Sequence, residues 1–196
     1  MSAAELLSDP LDQFRQWYDE AQHAQAGADI VALATATNEG IPAVRMVNFK
    51  GLSGASLSFF SNYESRKGRE LAANPKASML FYWASLKRQV IVEGCCERMS
   101  VADSSAYFAT RQREVQLSTH MSQQSRELPS FDWMDIRIAE LRQEFENHAI
   151  PCPAYWGGYL LHPARLEFRI ARDHRRYYRW EFVKAEAKWR QRKLYP

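Results

Sequence analysis

The sequence has few cysteines, no long apolar run and little net charge. Each of these features argues against particular classes of protein. Cys95, Cys96 and Cys152 are its three cysteines, and no CxxC or Cys/His spacing accompanies them. We therefore predict reduced, structural thiols and no metal site. No run of about eighteen apolar residues occurs, so we expect no membrane span. The start, MSAAELLSDPLDQF, lacks the basic and apolar segments of a signal peptide, which favours a cytoplasmic protein.

The charge balance argues against a nucleic-acid partner. Lys and Arg number 26 against 23 Asp and Glu, a net charge of +3, and the cations are not gathered into one block. A small anionic ligand remains compatible with this charge. The composition, 46% hydrophobic over 196 residues, is that of a globular chain able to bury a sizeable core. We expect residues 1–196 to form a single domain.

Hydrophobic spacing and turn residues predict many short strands with helices inserted between some of them. The Asp9-Pro10 pair predicts a helix start, and helical spacing continues to about Gln25. Further helices are expected after Ser65, from Ser100 to about Thr110 and over Trp133–Asn147, with Arg111–Leu128 irregular. Strands are expected at 30–37, 41–50, 56–61, 77–83, 88–98, 155–161, 165–170 and 177–183, with a last one reaching Leu194. This order favours a mainly β, antiparallel barrel with peripheral helices.

The stretch SNYESRKGREL, residues 61–71, places Arg66 and Lys67 at the start of a predicted helix. The backbone dipole is already positive at a helix start, so two cations are unfavourable there unless an anion lies nearby. One interpretation is a capped helix with two solvated charges. The other is a phosphate site built from free N–H groups and basic side chains.

Other segments carry weaker signals that also have plain structural interpretations. They are the cationic strand ends of RMVNFK (45–50), Gln89 in an apolar strand, the polar loop MSQQS (121–125), the glycine pair in PAYWGGY (153–159) and the alternating cations and aromatics of HRRYYRW (174–180). A solvated strand end explains the first, and a charged barrel strand explains the last. A buried glutamine needs hydrogen-bond partners, which a backbone or a polar ligand ring can supply.

Taken in chain order, these segments resemble pyridoxine/pyridoxamine 5′-phosphate oxidases, the FMN-dependent enzymes of vitamin B6 metabolism. The matching segments are RMVNFK, SNYESRKGREL, NP, LKRQVIVEG, YFATR, SQQS, PAYWGG, LEF and KLYP, from about Asp9 to Pro196. The resemblance implies an FMN-binding split β-barrel and a homodimer with FMN between the subunits. It also implies pyridoxine biosynthesis, in which pyridoxamine or pyridoxine 5′-phosphate is oxidised by oxygen to pyridoxal 5′-phosphate and hydrogen peroxide.

The resemblance also implies roles for particular residues. The FMN-binding positions would be Arg45, Met46, Val47, Asn48, Phe49, Lys50, Phe60, Ser61, Arg66, Lys67, Gln89, Gln124, Ser125, Arg169 and Arg179. The substrate-binding positions would be Lys50, Tyr107, Arg111, Val115, Arg175 and Tyr177, the last two also catalytic. In this scheme the FMN phosphate offsets the cations at the helix start, and Gln89 contacts the flavin ring.

Departures from the family pattern cluster on the substrate side. The family's Glu-Phe-Trp reads Glu-Phe-Arg at Arg169, its Arg-Leu-His-Asp-Arg reads RRYYR with Tyr177 for histidine, and Val115 replaces a serine. The basic N-terminal segment of longer relatives is expected to be absent. Two alternatives therefore stay open: an FMN oxidase of another reduced ring compound, as in phenazine biosynthesis, and a binding protein for FMN or pyridoxal 5′-phosphate. Nucleic-acid binding through Arg175–Trp180 is the weakest hypothesis.

Overall fold

Eight antiparallel strands form one sheet in this computed structural model, which describes residues 5–186 and 188–196. The strands are β1 (Ile30–Ala36), β2 (Pro42–Ser53), β3 (Ser56–Asn62), β4 (Lys76–Trp83), β5 (Arg88–Arg98), β6 (Trp156–Ala171), β7 (Tyr177–Ala185) and β8 (Lys188–Leu194). Their order is β3-β2-β1-β4-β5-β6-β7-β8, and β3 also pairs with β6. Six strands therefore close into a barrel, which leaves β7 and β8 as an extension. The predicted antiparallel barrel is confirmed.

Five α-helices accompany the sheet in the described residues. They are α1 (Pro10–Ala24), α2 (Arg66–Ala73), α3 (Val101–Ala109), α4 (Arg113–Met121) and α5 (Phe131–Glu144). The predicted start of α1 is confirmed, since the Asp9 carboxylate accepts a hydrogen bond from the Leu11 N–H at 2.7 Å. Within the described ranges, no helix is both long and apolar enough to cross a bilayer.

The main core fills the barrel and is closed by α1. Phe14 of α1 packs edge-to-face on Phe49 and Phe81, at ring-centroid distances of 5.6 and 4.9 Å. A second cluster, which includes Phe108, Leu117 and Leu141, lies beneath α3, α4 and α5. Burying each such side chain contributes roughly 1.5–3 kcal/mol. The second cluster fixes α4 against β3 and β6, where the site described below is found.

The expectation that 111–128 is irregular is wrong, because Arg113–Met121 forms α4. Its sequence, REVQLSTHM, is mostly polar, so apolar periodicity gives little signal. The helix is held by tertiary contacts instead. Leu117 is fully buried, and the Gln116 side-chain amide donates to the Phe108 carbonyl at 2.9 Å. Packing therefore overrides a weak local pattern.

The two strands predicted at 155–161 and 165–170 are one continuous strand, β6. Pro163 lies inside it at a register shift opposite Gly94. A Cβ on Gly94 would lie 1.9 Å from the His162 carbonyl oxygen, so only glycine allows this close approach. The proline is tolerated at the irregularity, where ladder hydrogen bonding is already interrupted.

Candidate functional site

The N-terminus of α2 contacts the loop at residues 122–125. Ser65 caps the helix, with its hydroxyl accepting from the Gly68 N–H at 3.2 Å. A Cβ at Gly68 would lie 2.1 Å from the Tyr63 carbonyl oxygen, so the tight turn requires glycine. The Arg66 N–H donates to the Ser125 hydroxyl at 3.1 Å, and Ser125 has a left-handed backbone with φ 72°. Non-glycine residues in this conformation concentrate at functional sites.

Glu70, one turn along α2, holds two of the arginines predicted to bind phosphate. Its carboxylate accepts from Arg45 at 3.1 Å and from Arg66 at 2.8 Å, and the Thr35 hydroxyl also donates to it. Burial raises the Glu70 pKa, but these three hydrogen bonds outweigh burial and hold it below its usual value. The arginines are thus ordered by a carboxylate that the protein itself supplies.

Lys67 has no such partner in the part of the chain that the structure describes. Its side chain is 8% exposed and donates to the Gln124 side-chain oxygen at 2.9 Å and the Ser65 hydroxyl at 3.4 Å. Among the described residues, no carboxylate lies within 4.0 Å of its ammonium group. Burial, followed by repulsion from Arg45, lowers the pKa of Lys67 to about 8. A buried cation without a counter-ion indicates a place for an external anion.

Two adjoining hollows meet at Lys67. The first, which we call the Lys67 cleft, has a volume of about 340 Å³ and is lined by Met46, Val47, Asn48, Phe60, Ser61, Asn62, Lys67, Arg111, Val115, Ser118, Thr119, Ser122, Gln124 and Trp156. The second, the Arg66 hollow, has Ala43, Val44, Arg45, Met46, Arg66, Lys67, Gln124 and Ser125 around it. Twelve of the predicted FMN-binding and substrate-binding residues therefore converge on this one region.

An aromatic wall supports the Lys67 cleft. Phe60 stacks on Tyr107, at 3.8 Å between ring centroids, and its ring is nearly parallel to that of Trp156, at 5.3 Å. The Arg111 guanidinium lies 4.6 Å over the Trp156 ring. Arg111 also donates to the Thr119 hydroxyl at 2.7 Å, so its direction is fixed from α4. The wall offers a flat apolar surface beside a positioned cation.

Helix α4 has Val115 where the family pattern has a serine, and it carries hydroxyls one turn further along. Ser118, Thr119 and Ser122 line the Lys67 cleft together with Val115. Thr119 already donates to the Val115 carbonyl at 2.9 Å and accepts from Arg111. Ser118 donates to the Glu114 carbonyl at 2.8 Å, which leaves its oxygen free to accept rather than donate. The Ser118 and Thr119 hydroxyls therefore do not duplicate the donor that a serine at Val115 would supply.

Two predicted residues on β2 lie away from the hollows. The Phe49 ring is 2% exposed within the barrel core, so only its backbone is free to touch a ligand. The Lys50 ammonium is paired with Asp29 at 3.5 Å. Lys50 therefore has a partner in this chain, unlike Lys67.

Three of the remaining predicted residues lie at a separate cleft. Gln89, Arg169 and Tyr177 line it together with Tyr82, Lys87, Arg88 and Ala171, and we call it the Arg169 cleft. Arg179 is paired with Glu167 at 2.8 Å and donates to the Tyr195 carbonyl at 2.9 Å. The side chain of Arg175 lies outside the described part of the structure, so its predicted catalytic position is not assigned.

Comparison with known proteins decides the family. The sequence profile of the family described as pyridoxamine 5′-phosphate oxidase matches residues 18–145. The chain is 41% identical over 197 residues to the pyridoxine/pyridoxamine 5′-phosphate oxidase of Coxiella burnetii, with all of both chains covered. The chain belongs to the pyridoxamine 5′-phosphate oxidase family. This is a family of FMN-dependent oxidoreductases, and FMN is its cofactor.

Other relatives agree with this membership. The enzyme of the same name from Cupriavidus taiwanensis is 44% identical over 176 residues, covering 89% of this chain and 82% of its own. Among solved structures, PhzG from Burkholderia lata 383, in complex with tetrahydrophenazine-1-carboxylic acid, matches with a TM-score of 0.92. It is 28% identical, covering 97% of this chain and 94% of that one. An FMN-binding protein from Nostoc punctiforme has a TM-score of 0.78 at 17% identity, which supports the fold alone.

The sequence did not predict that Glu70 and the α4 hydroxyls belong to the candidate site. The spacing Arg66 to Glu70 is i to i+4 on a predicted helix, which is a recognised ion-pair spacing. That signal was available for Glu70. Ser118 and Thr119 carried no comparable signal, because the segment was predicted to be irregular.

Proposed function

We propose that this protein is an FMN-dependent oxidase that converts pyridoxamine 5′-phosphate, or pyridoxine 5′-phosphate, to pyridoxal 5′-phosphate with oxygen. The observation that carries the proposal is Lys67, a buried cation with no carboxylate partner among the described residues, between the Arg66 hollow and the Lys67 cleft. Family membership supplies the reaction class. Hydrogen peroxide is the second product, and with the amine substrate the imine first formed is hydrolysed by water to the aldehyde, which releases ammonia.

The FMN phosphate would occupy the Arg66 hollow. Lys67 would contribute the unpaired charge. Hydrogen bonds would be added by the Ser125 hydroxyl and by the guanidinium N–H groups of Arg45 and Arg66 that have no partner among the described residues. The β2 backbone from Met46 to Asn48 would then lie along the flavin. When bound, FMN supplies the chemistry by accepting a hydride from the substrate carbon and passing the electrons to oxygen.

The substrate phosphate would lie near Arg111. This guanidinium is fixed by Thr119 and stacked on Trp156, so it is oriented before the ligand arrives. Prior orientation lowers the entropic cost of holding the ligand in a reactive position. Tyr107, stacked on Phe60, would add its hydroxyl to the same group. Lys50 would need to leave Asp29 to take part.

We further propose that the enzyme is a homodimer whose sites combine two chains. Val44, Met46 and Tyr82 are 60–69% exposed on the outer face of the sheet that also carries Gln89 and Arg169. Exposed apolar side chains grouped in this way are typical of an interface. A second copy covering this face would bring the Arg169 cleft of one chain to the Lys67 cleft of the other.

Mixing two impaired variants, at an FMN concentration too low to saturate Lys67→Met, tests the composite site. Lys67→Met and Gln89→Leu would each impair both sites of their own homodimer. A mixed dimer would contain one site with both residues intact, so we expect activity to return after subunit exchange. No recovery, although mixed dimers are detected by mass, would contradict a site shared between chains.

Peroxide release with a panel of B6 compounds tests the reaction itself. We expect slow but measurable turnover of pyridoxamine 5′-phosphate and much less of unphosphorylated pyridoxamine. Equal rates with both would favour the second candidate, an FMN oxidase of another reduced ring compound. That candidate is supported by Arg169 in place of the family's tryptophan and by the likeness to PhzG. FMN binding with no turnover of any reduced ring compound would instead favour a binding protein.

A further inference from the structure

The Arg169 cleft has an uncompensated positive charge. Its seven lining residues include Lys87, Arg88 and Arg169 but no Asp or Glu, and its volume is about 220 Å³. Arg88 forms an ion pair with Glu20. Among the described residues, neither Lys87 nor Arg169 has a carboxylate within 4.0 Å. Two cations without counter-ions beside one small cleft favour an anionic occupant.

The nearby carboxylate of Glu167 is already paired with two other arginines, so it does not neutralise Arg169. Arg169 lies directly opposite Arg179 in the β6–β7 register, a like-charge pair that is unfavourable by itself. Glu167, two residues before Arg169 on β6, is 4% exposed. One of its oxygens accepts from Arg179 at 2.8 Å and the other from Arg165 at 2.8 Å. Arg179 is therefore neutralised, whereas Arg169 has no carboxylate partner within the described ranges.

The orientation of Arg169 indicates the shape of the missing anion. Its guanidinium lies 3.6 Å from the centroid of the Tyr177 ring, within the range of a cation–π contact. A guanidinium stacked by one face keeps its N–H edge free, and two parallel N–H groups match a planar carboxylate. The Gln89 amide, directly opposite Arg169 on β5, can add a hydrogen bond. The Tyr82 and Tyr177 rings offer apolar surface to a flat ring.

We propose that the Arg169 cleft binds a carboxylate carried by a planar aromatic ring, so that the ligands of this enzyme include cyclic carboxylates in addition to B6 phosphates. The inference depends on the proposed function only for placing the cleft beside the flavin. Two of the positions that depart from the family pattern, Arg169 and Tyr177, are in contact and would act as one recognition unit. A change at either position should therefore alter the same preference.

Calorimetric titration with a matched pair of probes tests the proposal. Quinoline-2-carboxylate and quinoline-2-carboxamide share one ring system and differ in charge. We expect the purified flavoprotein to bind the carboxylate about tenfold more tightly than the amide, as one charge-assisted bidentate contact allows. Arg169→Gln should abolish this preference, and Arg169→Lys should keep part of it.

Arg172→Gln is the matched control, because Arg172 also lies over a tyrosine ring, that of Tyr178 at 5.2 Å, yet does not line the cleft. It should keep the full preference, and circular dichroism checks that each variant is folded. Equal binding of the two probes by the unmodified protein, or a preference that survives Arg169→Gln, would overturn the inference. A protein that shows the preference but does not oxidise pyridoxamine 5′-phosphate would contradict the proposed function alone.

Discussion

Removing the charge of Lys67 should weaken FMN binding without unfolding the protein. Lys67→Met keeps most of the buried aliphatic stem and deletes the ammonium group, which contacts Gln124 and Ser65 but no described carboxylate. No acid is left unpaired by the change. Because the apo-protein loses a cation that burial disfavours, its free energy of unfolding should stay equal or rise.

The loss in FMN affinity follows from one charge-assisted contact. We expect about 1.5–3 kcal/mol, or about 10- to 150-fold in Kd. Riboflavin has the same ring system without the phosphate, so its Kd should change little. The assay is quenching of flavin fluorescence on titration into apo-protein, with Lys76→Met on the exposed start of β4 as the control.

The pH dependence of FMN affinity tests the role of the Lys67 charge independently. The Lys67 pKa is about 8 in the folded chain against an ordinary 10.5, so the ammonium is lost above pH 8. FMN binding then requires proton uptake, and affinity should fall by up to about tenfold per pH unit. In the apo-protein the sign is opposite: between about pH 8 and 10.5 the unfolded chain holds more protons, so this group makes stability rise with pH.

Lys67→Arg should remove the fall in FMN affinity above pH 8, because a guanidinium stays charged throughout this range. Equal losses for FMN and riboflavin in Lys67→Met would refute the reasoning, since the residue would then support the flavin ring or the fold. So would a flat pH profile of FMN affinity in the unmodified protein between pH 7.5 and about 9.5.

Three further changes probe the substrate side and the ion cluster. Val115→Ser should restore a donor in the Lys67 cleft and lower the KM for pyridoxamine 5′-phosphate by roughly 3- to 10-fold, while that for pyridoxamine stays unchanged. Tyr177→His should raise turnover and add a step near pH 6.5 that the unmodified enzyme lacks, as a pH–rate profile would show. Glu70→Gln should lower apo-protein stability in urea by roughly 1–3 kcal/mol, because Arg45 and Arg66 lose their shared carboxylate; an unchanged midpoint would show that the pairing is energetically neutral.

The sequence predicted the β-rich part of the fold well because each strand has a local signal at its ends. Gly40 and Gly54 have positive φ in the turns that separate β1, β2 and β3, and Asn74-Pro75 ends α2 as expected. The division of β6 was wrong because Pro163 normally ends a strand. Here a bulge opposite Gly94 accommodates it, and that pairing joins residues about 70 apart in sequence, beyond the reach of any local rule.

The site was predictable where motifs have a fixed order and unpredictable where tertiary packing decides. Arg66, Lys67 and Ser125 were predicted from their segments to share one site, and the fold brings them together. Which cation is neutralised inside the protein was not predictable, since Glu70 reaches Arg45 only across 25 positions of chain. The role of α4 was missed for the same reason, because its burial depends on the second core cluster rather than on its own pattern.

The distribution of counter-ions divides the cations into two kinds. Arg45 and Arg66 share Glu70, and Arg179 has Glu167, so these three are held in place before any ligand binds. Lys67 and Arg169 have no such carboxylate in the described residues, and they lie at two different clefts. In the proposed dimer these two clefts face each other, which places unpaired cations from both chains around one ligand space. Anions bound there would reduce repulsion across the interface, so ligand binding and subunit association would each favour the other.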